Sequence, residues 1–217
     1  MFDIEIIILS GGFGKRLQPL TKDLPKSMVP VNGRPMLDYH LKWLSKYDID
    51  KMVLACGYKW EEIKKHYGSK FVYSVEEEPL GTGGAIKQAL DSIEGEEFFV
   101  VNTDDISDAN LNGLKKAGSN AIALSRFHSN FGIVDVKGDR VVKFEQKPLL
   151  PYWASMGLYI LNKSIKSKLP DKGAIETETF PEIELKAYKH AGYWITINTV
   201  KDLEDLEEAI KNGEVRL

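Results

Sequence analysis

The sequence predicts an α/β fold, a mostly parallel central sheet flanked by helices with a smaller antiparallel part after it, and three observations predict it. Short β-branched runs alternate with helical patterns through the first half of the chain, the rhythm of a parallel sheet. Runs ending at Leu9, Val75 and Val101 deliver the chain into turns rich in glycine or acid, where parallel sheets collect their ligands. Beyond residue 107, closely spaced strand-like runs replace the alternation. With 217 residues and 43% hydrophobic content the chain can bury one sizeable core, so a single domain over 1–217 is expected, with halves at 1–107 and 108–217.

The first element is a strand from Ile4 to Leu9 that ends at Ser10 and opens onto Gly11-Gly12-Phe13-Gly14-Lys15-Arg16-Leu17. Gly11, Gly12 and Gly14 clear side chains from a backbone that approaches a ligand, and they permit positive φ, so several N–H groups can converge on one anion. Arg16 and Lys26 add a forked guanidinium and a point-like ammonium, a pair suited to polyphosphate. A Walker loop is excluded because Gly14-Lys15 is followed by Arg16 rather than Ser or Thr. A dinucleotide fingerprint is excluded because its third glycine would fall on Leu17, and the next strand ends in Cys56-Gly57 without a ribose-binding acid.

Asn32-Gly33-Arg34-Pro35 reads as a turn, and Met36 begins a helix with Met36, Leu37, His40, Leu41 and Leu44 on one face. Lys51 to Ala55 reads as a strand, Lys59 to Tyr67 as a helix with Trp60, Ile63 and Tyr67 inward, and Lys70 to Val75 as a strand. The turn Glu76 to Gly84 then opens a helix from Ala85 to Leu90, whose first N–H groups are free to face a ligand. Glu97 to Val101 is a strand ending in Asn102-Thr103-Asp104-Asp105. Strand-like runs follow at Ala121–Phe127, Phe131–Val136, Arg140–Glu145 and Trp153–Leu161, the middle two joined through Lys137-Gly138-Asp139. A last strand is expected over His190–Ile197 and a closing amphipathic helix over Lys201–Lys211, with Leu203, Leu206 and Ile210 inward.

The net charge of -3 and the scatter of Lys and Arg leave no electrostatic footprint for nucleic acid, so any nucleotide bound is expected to be free. Cys56 lies alone in an apolar run and reads as a small buried thiol. No apolar run reaches bilayer-spanning length and no leader pattern opens the chain; a cytoplasmic protein with no membrane partner is expected, and a homo-oligomer remains possible.

Gly11 to Thr21 and Pro25 to Pro30 together resemble the signature of sugar-1-phosphate nucleotidyltransferases, G-G-x-G-x-R-L-x-P-L-T followed by P-K-x-M-x-P. The resemblance implies a Rossmann-like, GT-A-like domain that joins a nucleoside triphosphate to a sugar 1-phosphate, giving a nucleotide sugar and pyrophosphate. It also implies a role for each matched residue. Leu9, Ser10, Gly11, Gly12, Gly14, Lys15 and Arg16 would cradle the triphosphate, and Glu76, Gly81 and Thr82 would read the base. Lys26, Gly132, Gln146, Lys147 and Gly157 would hold the sugar phosphate. Arg16, Lys26 and Asp104 would be catalytic, with Asp104 and Asn198 holding Mg²⁺.

Glu76 favours guanine, because a carboxylate only accepts hydrogen bonds and guanine offers adjacent N–H donors. GTP with a mannose- or heptose-type sugar 1-phosphate is therefore the first choice. A uridylyl- or thymidylyltransferase for glucose 1-phosphate and a weakly catalytic regulatory binder remain the alternatives. Four departures from the family pattern matter. Thr103 replaces a glycine and leaves Asp105 as a rival ligand, Gln146 replaces an acid that grips sugar hydroxyls, and Thr196 and Asn198 stand where a second metal-binding aspartate is usual. A transferase consuming nucleotide sugars is disfavoured, since Asp104 and Asp105 are adjacent rather than spaced as D-x-D.

Overall fold

A computed structural model describes residues 4–215. In chain order the first half supplies β1 (Glu5–Ser10), β2 (Pro30–Val31), β3 (Arg34–Pro35), α1 (Met36–Leu44), β4 (Lys51–Cys56), α2 (Trp60–Tyr67), β5 (Val72–Val75), α3 (Gly81–Ala89), β6 (Glu97–Asn102) and β7 (Asp105–Ser107). The second half supplies α4 (Leu111–Ala117), β8 (Ala121–His128), β9 (Gly132–Lys137), β10 (Arg140–Gln146), β11 (Leu149–Asn162), α5 (Ile175–Glu178), β12 (Lys186–Lys189), β13 (Trp194–Thr196) and α6 (Val200–Lys211). Seven strands form one sheet in the order β12-β8-β11-β6-β1-β4-β5. Its β6-β1-β4-β5 side and the β8-β12 edge pair in parallel, and β11 runs antiparallel between β6 and β8. Strands from both halves of the chain therefore share one sheet.

Helices cover both faces, which explains why β1 is apolar at four successive positions, Ile6 to Leu9, rather than alternately. Ile6 and Ile8 pack with Leu37, Leu44, Leu54 and Ile63 on one face, and Ile7 packs with Val53, Ile86, Phe98 and Tyr159 on the other. A third cluster joins Leu17, Val29, Val31 and Met36 to Ile197, Leu203 and Leu206 of the C-terminal segment. It seats the segment after β1 against α6. Cys56 is a buried free thiol whose burial pushes it up to about 12.

Two expectations are corrected. The helix anticipated over Ala85–Leu90 starts four residues earlier, at Gly81, because Gly81, Gly83 and Gly84 let it press on the segment around Pro170 to Gly173. A Cβ at Gly81 would stand 2.5 Å from the Gly173 carbonyl oxygen, and one at Gly84 2.5 Å from that of Asp171. The strand anticipated over His190–Ile197 is only Trp194–Thr196, and it pairs with β7 in a separate two-stranded ladder. The edge of the main sheet is instead Lys186–Lys189, where the solvent-facing pattern hid the strand.

Candidate active site

The carboxyl ends of β1, β5 and β6 converge on a cavity of about 270 Å³ lined by residues including Leu9, Ser10, Gly11, Gly12, Lys26, Glu76, Gly81, Thr82 and Asp104. The loop after β1 turns at Gly14, left-handed with φ +58, and its carbonyl accepts hydrogen bonds from Leu17 N at 2.8 Å and Thr21 Oγ1 at 2.9 Å. Ser10 Oγ donates to Ser27 Oγ at 2.6 Å, tying the strand end to the segment that carries Lys26. The two spaced motifs of the sequence thus form one wall.

Lys26 Nζ lies 2.9 Å from Asp104 Oδ2 and 3.2 Å from Asn198 Oδ1, while Arg16 Nη2 donates to the same Asn198 oxygen at 2.8 Å; Lys26 and Asp104 line the cavity, whereas Arg16, Asn198 and Gly14 do not. Four of the expected catalytic and metal residues meet within hydrogen-bond reach, although Asn198 and Arg16 are 182 positions apart. Asn198 is held by the start of α6, where Asp202 Oδ2 accepts from Asn198 N at 2.9 Å and Thr199 N at 2.8 Å, completing a capping box.

Glu76, also in the lining, accepts from Leu80 N through Oε2 at 2.9 Å, and burial raises its carboxyl above the ordinary range. The Glu76 carboxylate lies where a Cβ on Gly11 would collide with Oε1 and stand 3.2 Å from Cδ. Gly11 is therefore required by Glu76 as well as by any ligand. Thr82 lines the cavity and also clamps α5, donating to Glu176 Oε2 at 2.6 Å and accepting from Ile175 N at 3.0 Å.

The departures have structural answers. Thr103 is buried and its hydroxyl donates to the Leu9 carbonyl at 2.9 Å, locking β6 to β1 across the site. Asp105 does not line the cavity; its Oδ1 accepts from Trp194 Nε1 at 2.9 Å, and burial together with the neighbouring Asp104 charge pushes it up to about 7. Gly157, with φ +63, makes room for that side chain: a Cβ there would collide with Asp105 Oδ2 and stand 2.6 Å from Asn102 Nδ2.

Other expected residues fall elsewhere. Lys15 is exposed with its ammonium 5.9 Å from the Phe13 ring centre. Gly132 and Gln146 pair at the base of the β9–β10 ribbon, Lys147 follows them with φ +47, and none of the three lines the cavity. Phe13, Pro79, Ala85 and Asn102 line it without having been anticipated. Asn102 Oδ1 is buried with no hydrogen-bond partner among the described residues. Its signal in the sequence was its place as the last residue of β6.

A family model described as nucleotidyl transferase matches residues 5–212. The chain is 36% identical over 214 residues to the D-glycero-alpha-D-manno-heptose 1-phosphate guanylyltransferase of Campylobacter jejuni, covering 92% of this chain and 96% of that one. It is 35% identical to a mannose-1-phosphate guanyltransferase of Debaryomyces hansenii, over 90% of this chain and 61% of the yeast protein. The crystal structure of HddC from Yersinia pseudotuberculosis complexed with GMP-PN superposes with a TM-score of 0.75 at 28% identity, over 95% of this chain and 99% of that one.

Proposed function

The chain belongs to the nucleotidyl transferase family, and on that premise we propose that it transfers a guanylyl group from GTP to a mannose- or heptose-type sugar 1-phosphate, releasing pyrophosphate. The observation that carries this reading is the cavity's lining, which holds both a carboxylate, Glu76, and a cation, Lys26, with Arg16 sharing the Asn198 oxygen with Lys26 just outside it. A nucleoside triphosphate likewise joins hydrogen-bond donors on its base to charged phosphates. A half-buried carboxylate meets the N–H donors of guanine but would oppose the carbonyl oxygens of uracil or thymine. The heptose and mannose guanylyltransferases among its relatives support the same choice.

In the reaction a phosphate oxygen of the sugar 1-phosphate attacks the α-phosphorus in line, the new P–O bond forms, and the bond to the β-phosphate oxygen breaks. No covalent nucleophile is needed, so the protein's work is positioning and neutralisation. Lys26 sits to bridge the two phosphates that react, and Arg16 to balance charge gathering on the departing pyrophosphate. Asn198 holds both cations through one neutral oxygen, which orients them without cancelling their charge.

The donor set fits Mg²⁺, which keeps most of its shell as water and phosphate oxygen and needs only one or two protein carboxylates. Asp104 would supply the carboxylate, and the amide oxygens of Asn198 and the otherwise unpartnered Asn102 are the neutral donors nearby. Among the described residues no three His, Cys, Asp or Glu side chains converge, so the protein alone does not build a full shell. Magnesium, when bound, would neutralise the triphosphate. Among the described residues no helix is long and apolar enough to cross a membrane.

The test is a pyrophosphate-release assay crossing GTP, UTP, dTTP and ATP with mannose, heptose and glucose 1-phosphates. GTP with mannose or heptose 1-phosphate is the expected best pair, and Glu76→Gln should erode the preference for GTP. Faster turnover of the wild type with UTP or dTTP would refute the assignment.

A further inference from the structure

His40 is a buried imidazole that the reaction, as derived above, does not use. It stands on α1, 3% exposed, and burial lowers its pKa, so the ring is neutral and carries a single N–H. Both ring nitrogens face backbone carbonyls: Nε2 lies 3.0 Å from Asp105 O, and Nδ1 3.2 Å from Met36 O. In the helix ladder the Met36 carbonyl already accepts from the His40 amide. The Asp105 carbonyl is placed differently. Where β7 meets β13, Asp105 stands opposite Thr196, and the neighbouring hydrogen bond runs from Ile197 N to Asp104 O at 2.8 Å. Backbone carbonyls alternate in direction along a strand, so that of Asp105 turns away from β13 and towards α1. A carbonyl withheld from both water and a donor is costly, so the one N–H belongs on Nε2.

Through this bond α1 holds the segments on both sides of the cation–carboxylate pair. Its first residue, Met36, donates from N to the Val29 carbonyl at 3.0 Å, just after Lys26. One helical turn on, His40 donates to the carbonyl of Asp105, just after Asp104, and the Asn102 backbone at the head of the same turn also bonds the ring. The two anchors sit on one short helix, so they fix the spacing between the segments that carry Lys26 and Asp104. Across that gap Lys26 Nζ and Asp104 Oδ2 stand 2.9 Å apart. The turn has other ties, Thr103 Oγ1 to the Leu9 carbonyl and Trp194 Nε1 to Asp105 Oδ1, but these lead to β1 and β13. His40 ties it to the helix that also anchors the Lys26 segment.

We propose that His40 is a positioning residue, whose Nε2–H, donated to the Asp105 carbonyl, sets the 102–105 turn so that the Asp104 carboxylate reaches Lys26. The inference rests on the roles proposed above for Lys26 and Asp104. His40 itself does not line the cavity and meets no substrate. It acts on distance: without the donor the Asp105 carbonyl must find another partner, and Asp104 moves with the turn. A misplacement of about 1 Å in a site that works by positioning costs roughly a hundredfold in rate.

The experiment compares the wild type with His40→Leu, which removes the donor and keeps apolar volume, and with His40→Gln, whose amide can donate from the place of Nε2. Three quantities are read. They are kcat and KM with GTP and mannose or heptose 1-phosphate, the rate at which limiting acetic anhydride modifies Lys26 relative to exposed Lys15 in the chain without nucleotide, and the tautomer of the wild-type ring by long-range proton–nitrogen correlation. His40→Leu should lose about a hundredfold in kcat with KM for GTP nearly unchanged. Its Lys26 should be modified several-fold faster as the ion pair opens, and His40→Gln should recover most of both losses. The wild-type ring should carry its proton on Nε2. A purely structural role would lower the melting temperature without splitting kcat from KM. Unchanged kcat or unchanged Lys26 modification in a folded His40→Leu would overturn the proposal, and so would a wild-type ring protonated on Nδ1, a readout that needs no variant. Modification and tautomer are read without substrate, so a wild type inactive with every substrate pair would refute the proposed function and leave those two readouts to decide the role of His40.

Discussion

Gly11→Ala isolates the Glu76 carboxylate, proposed to read the base, without touching it chemically. The three atoms nearest to the added methyl all belong to Glu76, and Oε1 is nearer than real Cβ contacts come. Glu76 must retreat by on the order of 1 Å to restore van der Waals distance. Its hydrogen bond from Leu80 N, now 2.9 Å, then lengthens out of range. A hydrogen bond to a charged group contributes about 1.5–3 kcal/mol, which is roughly a tenfold to hundredfold loss in kcat/KM for GTP if the carboxylate no longer meets the base. Stability should change little, because the displaced group is the end of a flexible side chain. The assay is kcat/KM for GTP and UTP in Gly11→Ala, Glu76→Ala and the double variant. Strong coupling is expected, the double variant being no worse than Glu76→Ala alone. Additive losses, or an unchanged preference for GTP in Gly11→Ala, would refute the argument that Gly11 acts through Glu76.

Three further outcomes follow from the cation cluster and its buried neighbour. Asp104→Asn should lower turnover by orders of magnitude with the melting temperature nearly unchanged; a fully active variant alongside an inactive Asp105→Asn would move the essential carboxylate to Asp105. Asn198→Asp should lower the magnesium concentration for half-maximal activity, and an unchanged titration would mean that this position lies away from the metal. Asp105, pushed up to about 7 in the fold, keeps a proton that the unfolded chain releases near pH 3.9. The folded state therefore binds more protons across that interval, so this group's contribution to stability falls as pH rises from about 4 to about 7. Melting curves in EDTA should show a steeper decline over that range for wild type than for Asp105→Asn, and parallel curves would discount the burial.

The strand and glycine turn that open the chain were legible because their pattern is local. Gly11 to Arg16 and Lys26 lie within a short span, and the apolar strand before them has only one place in an α/β sheet. The helix start at Gly81 was not legible, because its glycines answer to Gly173 and Asp171, far along the chain, and a glycine run looks alike whether it faces a ligand or another backbone. Thr103 does stand in the cavity lining, but its partner, the Leu9 carbonyl on a neighbouring strand, was not legible, because register is invisible in one sequence. The β12 edge was missed since Lys186 to Lys189 has the composition of a loop, and only its parallel pairing with β8 makes it a strand.

Asn198 shows why a departure from a family pattern has to be weighed by charge as well as by identity. Arg16, Lys26, Asp104 and Asn198 together carry one net positive charge, which favours a polyphosphate entering a half-dry cavity. An aspartate in place of Asn198 would bring that sum to zero and form ion pairs that phosphate oxygens must first displace. The amide keeps the geometry, since one oxygen still accepts from both cations, and it leaves their charge for the substrate. What is given up is a second carboxylate for the metal, so the site should depend more on the phosphates themselves to complete the magnesium shell. On this reasoning Asn198 exchanges metal affinity in the empty enzyme for attraction of the substrate, and the magnesium titration of Asn198→Asp measures that exchange directly.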